Sequence, residues 1–463
     1  MNLKPTTELP DPDLAAFRTG PIALAGAGVV GRAILADCLS HGFDVILMDT
    51  APDAVMRAVA EIAAEHPAVA GAATASPLPG LVAHRFGHGH GGSGPPPILI
   101  ESISEKLELK QRFFAMAATT LGHSCILATN TSNLSVAEVF SAIPEHPHCL
   151  GMHFFMPVAQ RPLVELIART AQPARSPGEI GATSGSLGSE VMLTAATTVR
   201  RCQDLAIALG KRSLQTRDSP GFVVNRLLAP YLNQALLLLG RGVTAEMLGV
   251  AATGFGMPFS PLRLIDLIGI RTAFDSGRVF WRHFPKRIDP APILSGMIKA
   301  GRLGTAFGGG FLIADDRLAP QAADVVDKYA RDQRQWTEQE VTGWLAIPMW
   351  IEAAEILRSG VVESFDAIEL ALSGGLGFGR PDGFFAYFDS LGATAMVALI
   401  DSAASASPRG MAAFSAGNGL IDCLRNGETP SSAIRNYVAS GDRESVRLSD
   451  SLAAAATNRG GQP

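Results

Sequence analysis

Apolar positions follow two different regimes along this chain. Up to about residue 217 they come as short runs separated by helical stretches; beyond it they come as long helical runs. Ile22-Ala23-Leu24-Ala25 reads as a short strand, and Arg32 to Ser40 follows with helical spacing, Ala33, Ile34, Ala36 and Leu39 on one side. Phe43 to Met48 is a second strand ending at Asp49. Strand, helix, strand in that order is a βαβ unit. Further strands are predicted at 97–101, 126–128, 149–155 and 163–167, and helices at 53–65, about 105–121 and 194–209. The stretch 66–97 is dense in Gly, Pro and Ala and predicts a mobile loop. Residues 171–191, rich in Gly, Ser and Pro, predict an inserted surface loop.

After Asp218-Ser219-Pro220-Gly221 the strands stop, which sets the main domain boundary there. An internal echo follows. Gly254-Phe255-Gly256-Met257-Pro258 returns as Gly377-Phe378-Gly379-Arg380-Pro381, and Asp266 returns as Asp389 at the same spacing. Each copy is preceded by a long apolar helix, so a helical domain has been duplicated. The expected division is a flexible arm over 1–20, an α/β domain over 21–217, helical copies over 218–315 and 336–440 with a linker over 316–335, and a tail over 441–463.

Composition narrows the function classes. The 463 residues are 47% hydrophobic and 17% charged, ordinary for globular protein. A net charge of −5 gives no electrostatic footprint for nucleic acid. Five cysteines without CxxC spacing read as reduced thiols of a cytosolic protein. No apolar run reaches the length of a membrane span; the Leu236–Leu239 run reads as a buried helix. His84, His88 and His90 lie in a glycine loop without acidic or Cys neighbours, so no metal site is expected.

The first chemical signal is Gly26-Ala27-Gly28-Val29-Val30-Gly31. Glycines in that pattern are common by chance. Here they follow a strand, open a helix, and precede an acid at the end of the next strand, Asp49. That context is the dinucleotide fingerprint. Gly26 makes the turn, Gly28 lets a pyrophosphate approach the helix N-terminus, and Gly31 lets helix and strand pack closely. Asp49 suits the ribose hydroxyls and repels a 2′-phosphate, favouring NAD. Gly26, Gly28, Val30, Gly31 and Asp49 are the candidate cofactor contacts of this segment. The expected fold is an α/β Rossmann-type dinucleotide-binding domain followed by two tandem all-α domains.

The second signal is His153 in Gly151-Met152-His153-Phe154-Phe155-Met156-Pro157, with Glu165 inside Leu163-Val164-Glu165-Leu166-Ile167. A lone buried histidine is usually a satisfied core residue, but a histidine and a carboxylate in separate apolar runs can form an acid/base pair. The polar cluster Asn130-Thr131-Ser132-Asn133 follows a strand, where ligands of open α/β sheets bind. Ser135 with Glu138 reads as a helix capping box, leaving Ser132 for a ligand.

These segments, with Glu101-Ser102-Ile103-Ser104-Glu105 and Asp218-Ser219-Pro220-Gly221-Phe222-Val223-Val224-Asn225-Arg226, resemble the L-3-hydroxyacyl-CoA dehydrogenases. The likeness is greatest to the dehydrogenase portion of multifunctional fatty-acid β-oxidation enzymes, and it spans roughly residues 21–400. The resemblance implies NAD-dependent oxidation of a 3-hydroxyacyl thioester to the 3-ketoacyl thioester, with His153 as base and Glu165 orienting it. It implies that Ser132 and Asn225 hold the reacting oxygen or the base. Leu99, Ile100, Glu101 and Lys106 fall where the family lines its nucleotide site, and Tyr387 where multifunctional members contact substrate. Met156 stands where the family has an asparagine beside the nicotinamide, and a thioether cannot replace an amide's hydrogen bonds. The region between Asp49 and Glu101 is short and poor in cations, which leaves open CoA or a carrier-protein thioester. The alternatives are a dehydrogenase acting on a carrier-bound hydroxyacyl group in biosynthesis and a non-catalytic dinucleotide-binding relative. A thiolase or hydratase is the expected kind of partner subunit.

Overall fold

The computed structural model describes residues 22–65, 73–76, 97–169, 186–406, 411–415 and 419–440, and the chain divides into two units after Asp218. The expected arm, the loop histidines His84, His88 and His90, residues 171–185 of the expected insertion and the tail lie outside the described residues.

The first unit is an eight-stranded sheet in the order β3-β2-β1-β4-β5-β6-β7-β8. Its strands are β1 (Ile22–Ala25), β2 (Val45–Met48), β3 (Ala73–Ser76), β4 (Ile98–Glu101), β5 (Ile126–Thr129), β6 (Cys149–Phe154), β7 (Leu163–Ala168) and β8 (Arg212–Arg217). The described helices are α1 (Val29–Ser40), α2 (Pro52–Glu65), α3 (Leu107–Leu121), α4 (Val136–Val139) and α5 (Ser186–Ala208). All strand pairs are parallel except β6 with β7. Every residue of β1, β2, β4 and β5 is buried, because helices cover both faces of a parallel sheet. That is why those strands read as unbroken apolar runs.

Two expectations for this unit need correction, and one strand was unforeseen. Ala73–Ser76 is an edge strand parallel to β2, inside the stretch expected to be a loop. Its Ala, Thr and Ser side chains carry no apolar run to betray it. Arg212–Arg217 is the opposite edge strand, of which only Leu214 and Thr216 are buried. The last residues of the expected insertion, from Ser186, belong to α5. Extending a helix needs no new nucleus, so α5 runs on through a sequence that favours loops.

The second unit is helical, with α6 (Val224–Gly240), α7 (Ala245–Phe255), α8 (Pro261–Ile268), α9 (Ile270–His283), α10 (Ile293–Lys299) and α11 (Pro320–Lys328) in its first half. The second half holds α12 (Glu338–Arg358), α13 (Phe365–Leu370), α14 (Phe384–Leu391), α15 (Ala393–Ala406), α16 (Leu420–Arg425) and α17 (Pro430–Ser440). The duplication is visible in the boundaries. Those of α8 and α9 return as those of α14 and α15 at one spacing: 261 to 384, 268 to 391, 270 to 393 and 283 to 406. The expected linker over 316–335 contains α11, which opens on Pro320 and buries Ala322, Val325 and Val326. Those three apolar positions at helical spacing are the reason it folds onto the first copy.

The copies meet through backbone at the echoed glycines. Gly379 N donates to Gly256 O at 2.9 Å, and Arg380 donates to Gly254 O at 3.3 Å. Gly256 has φ +117, and a Cβ there would lie 2.5 Å from the Arg380 side chain. Deeper in, Arg226 Nε donates to Glu352 Oε1 at 2.7 Å and Arg287 Nη2 to Glu355 Oε2 at 2.6 Å. Both guanidiniums lie against the Phe284 ring, 4.7 and 4.9 Å from its centroid. Burial pulls Arg287 down, but Glu352 and Glu355 outweigh it and hold the guanidinium above its ordinary range. No single helix among the described residues is long and apolar enough to cross a membrane.

Arg226 is 2% exposed, so removing its counter-ion leaves a buried charge short of a partner. Glu352→Gln should destabilise the helical unit by about 3–5 kcal/mol, read as a lower urea midpoint at unchanged slope.

Candidate active site

The C-terminal ends of β1, β2, β4, β5 and β6 build the candidate site. At the end of β1, Gly26 has φ +105 and lies so close to the chain after β4 that a Cβ would fall 2.3 Å from Ser102 O. A Cβ on Gly31 would fall 1.9 Å from Gly26 O, so α1 packs tightly on the turn. A Cβ on Gly28 would meet nothing within 4 Å. Two glycines are therefore demanded by packing, while the third opens a space at the N-terminus of α1. Gly28 is the N-cap of α1 and makes no side-chain cap, and Val30 follows in the first turn, half-buried. The first-turn N–H groups and the helix dipole at such an end suit a pyrophosphate. Asp49, at the end of β2, accepts from Ala27 N at 2.8 Å through Oδ2 and from Ala51 N at 2.9 Å through Oδ1.

On the other side of β1 the sheet reaches β5 and β6. Asn130 N donates to Glu101 O at 2.8 Å, and Asn130 Oδ1 accepts from Phe154 N at 2.9 Å. The loop carrying Ser132 is thereby fixed beside the strand carrying His153. Ser135 accepts from Glu138 N and caps α4, the serine half of the expected capping box, and Asp218 adds a second hold by accepting from Ser135 Oγ and Ala137 N.

His153 and Glu165 are direct cross-strand partners in the antiparallel pairing of β6 with β7. Nδ1–H of His153 donates to Glu165 Oε2 at 2.8 Å; His153 is 6% exposed and Glu165 not at all. Their strand neighbours Met152, Phe154, Val164 and Leu166 join the hydrophobic core, so the dyad occupies the opposite face of the sheet. The Phe155 ring packs edge-on to the imidazole at 4.5 Å. With Nδ1 donating, Nε2 carries the ring's lone pair.

Beneath this surface lies a charge cluster that sequence reading passed over. Lys110 is 1% exposed; its Nζ lies 2.6 Å from Glu101 Oε1 and 3.2 Å from Glu105 Oε2. Glu101 also accepts from Ile103 N and Thr129 Oγ1. Glu105 Oε1 accepts from Thr131 Oγ1 at 2.6 Å, Ser132 N at 3.0 Å and Asn133 N at 3.2 Å. Burial pushes Glu105 up, but the Lys110 ammonium and the Thr131 hydroxyl outweigh it and hold the carboxyl below its ordinary range. The signal was available: Lys110 falls in the buried stripe of α3 with Phe114, Ala117 and Leu121. Lys106, expected near the cofactor, is an exposed N-cap residue. Leu99, Ile100 and Glu101 are fully buried and present no side-chain surface to a ligand, because all four residues of β4 lie inside the sheet.

Met156 is 42% exposed just beyond β6. Asn225 and Tyr387 belong to the helical unit. Asn225 stands in the first turn of α6. Tyr387 packs edge-on to Phe255 at 5.1 Å with the Arg380 guanidinium 4.8 Å from its ring centroid.

Comparison with known proteins bears on this geometry. Residues 21–176 match the family model for the 3-hydroxyacyl-CoA dehydrogenase NAD binding domain, and residues 221–314 match that for the C-terminal domain of the same family. The chain belongs to the 3-hydroxyacyl-CoA dehydrogenase family. Its relatives include the fatty acid oxidation complex subunit alpha of Pseudomonas syringae pv. tomato, 29% identical over 396 residues, with 82% of this chain and 52% of that protein covered. The subunit of the same name from Pseudomonas paraeruginosa is 30% identical over 396 residues, with the same coverages. The chain thus spans about half the length of the curated relatives it matches. A solved 3-hydroxybutyryl-CoA dehydrogenase from Escherichia coli superposes with a TM-score of 0.66 at 20% identity, covering 88% of this chain and 98% of that one. The dehydrogenase part of a multifunctional enzyme from C. elegans gives 0.54 at 20% identity, covering 88% and 89%. At such identities these two likenesses show the fold alone. The glycine turn, Asp49 and the dyad all fall inside the segment matched as an NAD-binding domain.

The glycines separate cofactor from fold. Gly31→Ala should destabilise the first unit by about 1–3 kcal/mol, because its methyl meets backbone. Gly28→Ala should leave the melting temperature unchanged yet weaken NADH binding roughly tenfold, about 1.4 kcal/mol. Thermal melts beside NADH fluorescence titration distinguish the two.

Proposed function

We propose that this chain is an NAD-dependent oxidoreductase that interconverts 3-hydroxyacyl and 3-ketoacyl thioesters, with CoA as the carrier. The observation that carries the reading is the buried His153–Glu165 pair, its histidine on the strand next to the Ser132 loop, in a domain whose first turn is open at Gly28.

His153 Nε2 is the base. It takes the proton of the substrate's 3-hydroxyl as the C–O bond becomes a carbonyl, and it returns that proton in reduction. NAD, when bound, supplies the acceptor for the hydride leaving the same carbon. Glu165 holds the ring in the tautomer that leaves Nε2 basic. When the ring is protonated, the pair becomes imidazolium and carboxylate, both buried, where their attraction is stronger than in solvent. Ser132 and Asn225 are the residues we assign to the reacting oxygen, and Tyr387 to the acyl substrate. Gly26, Gly28, Val30, Gly31 and Asp49 would hold the dinucleotide, with Met156 on its nicotinamide side. The matched relatives are named as subunits of a complex, so the proposal extends to association with a thiolase or hydratase subunit.

The test is steady-state reduction of acetoacetyl-CoA by NADH. His153→Ala should lower kcat by roughly 10²–10⁴-fold, while NADH binding by fluorescence stays within about twofold of wild type. A wild-type chain that binds NADH but turns over acetoacetyl-pantetheine bound to carrier protein, and not the CoA ester, would move the substrate to a carrier protein. A chain that binds NADH and reduces neither is a non-catalytic relative.

A further inference from the structure

Lys211, one residue before β8, is 5% exposed. Its Nζ donates to Val158 O at 2.7 Å and to Arg161 O at 3.2 Å, and it stands 3.0 Å from Asp37 Oδ2. The two carbonyls accept hydrogen bonds from the ammonium, and the Asp37 carboxylate faces it as a counter-ion by charge alone. Asp37 is 3% exposed and lies on α1. Of the other titratable groups around the pair, His41 Nδ1 is 3.9 Å from Asp37 Oδ1 and the Cys38 thiol is buried beside them.

The segments that meet at this ammonium are informative. Val158 and Arg161 belong to the loop over 155–162 that leaves His153 on β6 and returns to Glu165 on β7. A short 3-10 turn, Val158–Gln160, sits at its centre and packs on α1. Beyond Lys211 the backbone continues the grip, Arg212 N donating to Pro162 O at 2.7 Å. At its other end α1 opens on the glycine turn. A single buried cation thus ties the loop between base and carboxylate to the helix that carries the dinucleotide cradle.

We propose that Lys211 is a positioning residue for the dehydrogenase reaction, an inference that rests on the function proposed above. With Asp37 as its counter-ion it holds the 155–162 loop against α1, and so sets the base at a fixed distance from the cofactor. A misplacement of about 1 Å between reacting groups lowers turnover roughly a hundredfold, so rigidity at this joint matters to rate more than to binding.

Two variants of the full chain test it. Lys211→Arg keeps the charge opposite Asp37 but presents a planar, wider set of donors. The double variant Lys211→Met with Asp37→Leu removes both charges, an exchange that buried pairs often tolerate without loss of stability. We expect both to fold with melting temperatures near wild type and to bind NADH within about twofold of wild type. We expect kcat for acetoacetyl-CoA to fall by about tenfold in the first and roughly a hundredfold in the second. Amide hydrogen exchange over 158–162 should quicken in the same order. Wild-type kcat with wild-type exchange in the double variant overturns the proposal. So does failure of both variants to fold, since the pair would then be a requirement of the fold and not of the site. The exchange readout needs no substrate. A wild-type chain inactive on acetoacetyl-CoA would therefore sink the dehydrogenase reading separately, leaving the loop result to be judged by exchange alone.

Discussion

The antiparallel pairing of β6 with β7 is the constraint on which the site depends. It places His153 directly across from Glu165 and turns both to one face of the sheet. The hydrophobic core enforces that register: Met152, Phe154, Val164 and Leu166 must all face the other way to be buried. A slip of one residue would send Glu165 into the core without its imidazole and bring apolar side chains to the site. The geometry of the pair is therefore held by packing, and the hydrogen bond completes what the core has already arranged. Gly151 adds to this, since a Cβ there would lie 2.8 Å from Val136 and 2.9 Å from Ile167, close enough to push α4 away from the dyad's face.

Buried charges do the joining elsewhere. Lys110 binds Glu101 and Glu105, which connects the end of β4 with the Ser132 loop. Lys211 and Asp37 connect the dyad's loop with α1. In the helical unit, Arg226 and Arg287 with Glu352 and Glu355 connect the two copies. Each group is costly to bury and is stable only with its partners in place. The Lys211 and Arg226 clusters also link segments far apart in the chain, so they are complete only in the native arrangement.

Much of this was legible in the residues. Strands buried on both faces show themselves as apolar runs, and β1, β2, β4, β5, β6 and β7 were readable for that reason. The fingerprint was readable because turn, helix and acid each have a steric or electrostatic requirement that few residue types meet, and the duplication because two copies kept the same glycines. The edge strands β3 and β8 were not, since one is small and polar and the other buries only two side chains. The helix α11 was hidden by its Ala and Asp content, although Val325 and Val326 mark its inner face. Lys110 was not legible either, because a lysine inside an apolar helical stripe gains its meaning only when its carboxylates are seen around it.

By itself, the sequence determined the order of elements, the glycine turn, the acid at its second strand and the presence of one histidine and one carboxylate in adjacent apolar runs. These are local matters, set by periodicity and by the sterics of single residues. Only the tertiary structure decided that β7 runs against β6, that His153 and Glu165 therefore meet at 2.8 Å, that Lys110 is enclosed with Glu101 and Glu105, and that Lys211 is held by carbonyls and a carboxylate from distant segments. Strand direction and burial of charge depend on what the rest of the chain brings to the same place, and no local pattern carries that information.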